Sequence, residues 1–167
     1  MKKIILLMLM LSPFANADED KMVPLKEYLE ANQKDILKSE LLYVTFRCIA
    51  LYSALPGIFE QIPEEQLKEY NKDLDVWDWI DSKLELQNIV QLVSREFHYD
   101  LFDSTNDEYM AVMGKNTLPM AQNYYLEAEK SYIKNGEWIN EFIYDEVEIC
   151  DAVAYNYSSQ IDKDRLK

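Results

Sequence analysis

Apolar residues recur along this chain at alternating steps of four and three. Leu37, Leu41, Val44, Cys48, Leu51 and Leu55 form one such line, and Ile143, Val147, Cys150, Ala154, Tyr157 and Ile161 form another. Steps of this kind place side chains on one face of an α-helix, at the spacing used where helices pack side by side. Two further lines lie between them. Leu67, Tyr70, Leu74 and Trp77 lead into Leu86, Val90, Val93, Phe97 and Leu101, and Tyr109, Met113, Met120, Tyr124, Ala128 and Tyr132 follow. The alternation that marks a half-buried strand is almost absent.

Glycine and proline divide these lines into helices. Pro24 and Pro63 stand where helices open, Pro56-Gly57 and Asn135-Gly136 where they close. The first helix is predicted from Pro24 to about Leu55, with a break near Asn32. The second runs from Pro63 to Phe102, interrupted at "NKDLD", where Asp73 or Asp75 is a fresh N-cap. "DSTND" makes a capping turn into a third helix over 106–134, bent or split at Gly114 and Pro119. The fourth spans about Glu137 to Ser159. Four helices with short connections, each bearing one apolar stripe, predict an all-α fold: an antiparallel four-helix bundle running up-down-up-down.

The N-terminus modifies this picture. "MKKIILLMLMLSPFANADED" combines two lysines, a short apolar run and an Ala-x-Ala site. These are the three parts of a secretory signal, so residues 1–17 are expected to be cleaved. A single domain then covers 18–161, and residues 162–167, "DKDRLK", form a frayed tail. The expected location is the periplasm or the exterior. The apolar stretch "LLYVTFRCIALYSAL" carries Arg47 and falls short of the roughly 20 residues a membrane helix needs, so no stable membrane insertion of the mature chain is expected.

Charge narrows the partners. The full chain carries 31 acidic against 17 basic residues, a net charge of −14, and loss of Lys2 and Lys3 with the signal makes it −16. Nucleic acid and anionic lipid surfaces are disfavoured, since their phosphates need a basic face. A basic or other envelope protein is the compatible macromolecular partner.

The two cysteines, Cys48 and Cys150, each lie in the middle of a core stripe, on the first and last helices. In an up-down-up-down bundle these helices are neighbours, and an exported chain with two such cysteines is expected to join them in one inter-helix disulfide. A reactive thiolate would need a cation or a helix N-terminus nearby, and Arg47 points about 100° away round the helix. There is no C-x-x-C pair.

Catalytic chemistry is sparse. One histidine, His98, is the sole candidate base of its type, and Arg95 stands where a di-iron Glu-x-x-His pair would need a glutamate. The turn "DSTNDE" has Glu108 where a calcium loop needs glycine. Paired acids such as Glu146/Glu148 read as solvated helix faces. No catalytic residue and no cofactor are assigned. Trp77 continues a stripe, which leaves Trp79 for a second packing surface or for an exposed contact, a candidate interaction surface. The expected function is therefore that of a small exported, acidic helical module that binds a partner. The alternative is a copper, haem or small-ligand binder using His98 with Met110 and Met113, which lie at similar depth if two helices turn near residues 103–105.

Overall fold

The computed structural model describes residues 22–32, 37–70 and 75–158. Among them are six α-helices and no strand: α1 Leu25–Ala31, α2 Lys38–Phe59, α3 Glu64–Tyr70, α4 Val76–Phe102, α5 Asn106–Asn135 and α6 Glu141–Ser158. The expected signal peptide (residues 1–17), Asp73, Leu74, Ile161 and the tail (162–167) lie outside the described residues.

The chain breaks where its local chemistry allows. α1 ends at Ala31, beside the anticipated Asn32. Asp75 caps α4, its carboxylate accepting the backbone N–H groups of Trp77 and Asp78. Thr105 and Glu108 form a reciprocal capping box at the start of α5: each side chain meets the other residue's backbone N–H. α5 ends at Gly136, whose φ of 78° is a left-handed conformation that glycine adopts without a Cβ clash. Three boundaries differ from expectation. α2 continues through Pro56 and Gly57 to Phe59, α5 passes unbroken through Gly114 and Pro119, and α6 begins at Glu141 because Trp138 and Ile139 turn inward first. Pro119 deprives only the Lys115 carbonyl, on the exposed side of α5, of its helix partner.

α2 is the hub. It packs most extensively on α4 and α5 and also meets α6; α4 packs on α6, while the consecutive helices α4 and α5 make few close approaches. Pairing residues give the directions. Lys38 with Asp100 and Ser53 with Gln87 show α2 and α4 antiparallel. Phe97 with Tyr157 and Lys83 with Asp151 show α4 and α6 running the same way. Because α2 is covered on several sides, fourteen of its residues are buried, polar ones included. By length and composition alone α2 could cross a bilayer, but 72% of its most apolar stretch is buried against the other helices. Leu37, placed on the stripe by sequence, is instead the exposed residue that opens α2.

Cys48 and Cys150 are both fully buried and joined in a disulfide across 102 residues of chain, with Cα atoms 5.3 Å apart. It ties the hub helix to α6.

Candidate functional site

The most polar part of the core lies beside this disulfide. Arg47, one residue before Cys48, is 0% exposed. All three of its guanidinium nitrogens donate: Nε to the Tyr124 hydroxyl (3.2 Å), Nη1 to the Val23 carbonyl (2.5 Å) and Nη2 to Glu146 Oε2 (2.5 Å). Glu146, one helical turn before Cys150, also accepts the Tyr124 hydroxyl and the Leu25 backbone N–H. Burial alone would lower the pKa of Arg47, but Tyr124, Glu146 and Tyr43 together raise it above its ordinary value, so it stays charged. Burial, reinforced by Glu146 against the opposing pull of Arg47, pushes the Tyr124 phenol well up, so it remains a donor. The Arg47, Tyr124 and Glu146 side chains are buried, and each of their polar atoms has a partner. It anchors the segment entering α1, through Val23 and Leu25, to α2, α5 and α6. The expectation that Glu146 belongs to a solvated face is thereby corrected: Glu146 faces inward because Ile143, Val147 and Cys150 share its side of α6.

A second ion pair, Lys83 with Asp151, crosses from α4 to α6. Asp151 also accepts the hydroxyl of fully buried Tyr52 (2.9 Å). Burial first, then Asp151, raises the Tyr52 pKa and keeps the phenol protonated. Lys83 Nζ lies 5.0 Å from the centroid of the Trp79 ring, and Trp79 packs on Phe59 with the rings tilted and their centroids 5.6 Å apart. Trp79 therefore packs inward, and it is Trp77 that stands 46% exposed. Of the two readings of Trp79 the packing one holds, whereas Trp77, placed on a stripe by sequence, is exposed, because the cap at Asp75 starts α4 afresh.

His98 sits near the end of α4, buried rather than at the surface. Its Nδ1 is 2.5 Å from the Ser104 hydroxyl, and its ring lies against Phe102 and Tyr109. Burial lowers its pKa, opposed by Glu108, so the neutral ring is favoured. Tyr109 is also pushed up by burial, to about 12, and donates to the Gln91 carbonyl and toward the Met113 sulfur (3.4 Å). The Met110 sulfur is 3.9 Å from Gln91 Nε2, and Met110 is exposed. Tyr109 thus touches both His98 and Met113, whereas the exposed Met110 is engaged by Gln91 instead.

The outer face of α6 is of another kind. Glu141, Tyr144, Asp145, Glu148, Ala152 and Tyr155 are all exposed and recur at helical spacing. Tyr144 is 48% and Tyr155 63% exposed. None of these three acids forms an ion pair with another described residue. Burial and then Glu137 raise the Tyr144 pKa, so its hydroxyl remains a neutral donor. This face pairs aromatic area with unneutralised negative charge. The sequence does not mark this face, because the tyrosines flank, rather than continue, the α6 core line.

No family model, curated protein or solved structure matches the chain.

Proposed function

We propose that this protein is an exported interaction module, a four-helix-bundle scaffold braced by Cys48–Cys150, which presents the outer face of α6 to a basic protein partner in the periplasm. One observation carries the reading: two half-exposed tyrosines lie eleven residues apart on one face, with three acids around them that pair with no other described residue. Tyrosine contributes a large apolar ring and a hydroxyl at little rotamer cost, which suits a binding surface. Negative charge around it accelerates encounter with a basic partner and disfavours acidic ones. The disulfide is compatible with an oxidising compartment.

The test is capture from an envelope extract on the immobilised mature chain, in parallel with Tyr144→Ala/Tyr155→Ala and Glu148→Lys variants. A basic protein retained by the wild type, released by moderate salt and lost from both variants is the expected result. Equal retention by wild type and variants would defeat the assignment of this face.

A further inference from the structure

α5 has a second face that the α6 reading does not use. Its inner side, through Met113, Ala121, Tyr124 and Ala128, packs into the core. Opposite it, Ala111, Lys115, Leu118, Gln122, Leu126, Glu129 and Ile133 step 4, 3, 4, 4, 3, 4, and all seven are exposed. Three are large aliphatics: Leu118 is 62%, Leu126 46% and Ile133 77% exposed. In a chain whose residues are 29% charged, the stretch from Tyr109 to Leu126 holds one charge, Lys115. An unshielded aliphatic line whose larger part runs along a stretch so poor in charge marks a packing surface.

The order of residues identifies what packs on it. Gln122 is the midpoint. Residues equidistant from it are Leu118 and Leu126, Lys115 and Glu129, and Ala111 and Ile133. The line therefore reads as its own complement in reverse: leucine opposite leucine, lysine opposite glutamate, the smallest residue opposite isoleucine. The repeat is eleven residues, Ala111 to Gln122 to Ile133, which is three helical turns to within about 20°, so the line stays on one side of a nearly straight helix. It extends over roughly 33 Å.

We infer that α5 is the self-association surface of this protein: two copies pack α5 against α5 antiparallel, with the twofold axis through Gln122. A twofold interface requires a patch complementary to itself, and this line is one. Each Lys115 meets the Glu129 of the other copy, two opposite-charge contacts per dimer. Neither residue is paired with another described residue within the monomer. Lys115 and Glu129 balance each other, so two acidic chains meet along a locally neutral seam.

Sedimentation velocity across a concentration series, at about 0.15 M salt where charges are screened beyond roughly 8 Å, tests this on the oxidised mature chain. The wild type is expected to dimerise. Lys115→Glu weakens the dimer about tenfold or more by setting glutamate against glutamate, and adding Glu129→Lys restores it, because the swapped charges again oppose one another. Leu118→Asp gives a monomer that keeps the helical circular dichroism spectrum, since the side chain is exposed. Register is read by oxidation of single cysteines, the two native ones being joined to each other. Gln122→Cys forms a disulfide-linked dimer, whereas Lys115→Cys, about 10 Å along the helix from the axis and so about 20 Å from its own copy, does not. A wild type monomeric throughout, a dimer indifferent to Leu118→Asp, or equal cross-linking at 115 and 122 would overturn the inference.

Discussion

Arg47 is a charge placed where charges rarely go, and its cost is offset by saturation. Every nitrogen has an acceptor and Glu146 has donors on both oxygens. Breaking such a pair from one side strands the other charge, which costs more than removing both. Arg47→Met is accordingly expected to destabilise the fold by about 3–5 kcal/mol in urea unfolding, and the double variant Arg47→Met/Glu146→Leu to recover a large part of that. His98 supplies the pH dependence. Its pKa is lowered from 6.5 by burial, so the folded protein favours the neutral ring and the unfolded chain binds the proton more readily. The stability gained from the neutral ring is complete above about pH 6.5 and is lost as the pH falls through the lower folded value. As the sole histidine, its NMR titration should show a midpoint below 6.5. The melting-temperature advantage over His98→Gln should be flat above neutrality and shrink on acidification. Cys48 and Cys150 were legible as a pair because each centred a stripe in a chain with no other cysteine. Arg47 and Glu146 were not legible as partners, although each lies within a turn of a cysteine. That proximity was the available signal, since a disulfide brings its flanking turns to one depth.

At the scale of elements, helix ends were written more plainly than helix faces. Caps are local: Asp75, Thr105 with Glu108, and Gly136 act on backbone groups within a few residues, so short-range chemistry identifies them. Gly136 illustrates how much one such position holds. Replacing it with alanine forces a Cβ into a left-handed conformation, and Gly136→Ala is expected to cost about 1–2 kcal/mol in chemical denaturation. Faces depend on what a helix meets. Trp77 left its stripe because the cap at Asp75 starts α4 afresh, and Trp79 took the packing alternative, with Phe59 and Lys83 covering it. Gly114 and Pro119 did not split α5, since each lies on its exposed side, where a missing side chain or a lost hydrogen bond is made up by solvent.

Across the whole molecule, the disulfide closes a loop of 102 residues between the hub helix and α6. In the chain-entropy model a loop of that size is worth about 4.7 kcal/mol, most of it through restriction of the unfolded chain. Cys48→Ala/Cys150→Ala is expected to lose several kcal/mol in guanidinium unfolding while keeping a helical spectrum, because the α2 core and the Arg47 cluster persist. The all-helical class, the pair of bridged cysteines, most helix ends and the core lines of α2 and α6 follow from periodicity and composition. They could be read from one dimension because each depends on neighbours three or four residues away, or on a scarcity that leaves a single choice. Tertiary structure alone decided that α2 is the hub, that Arg47, Tyr124 and Glu146 meet, that Trp79 turns in and Trp77 out, and that α6 and α5 each keep an outward face. The reason is geometric: these outcomes join residues as far apart as 22 and 121 positions, and which side of a helix is covered depends on the crossing of its partners, a quantity that no local pattern encodes.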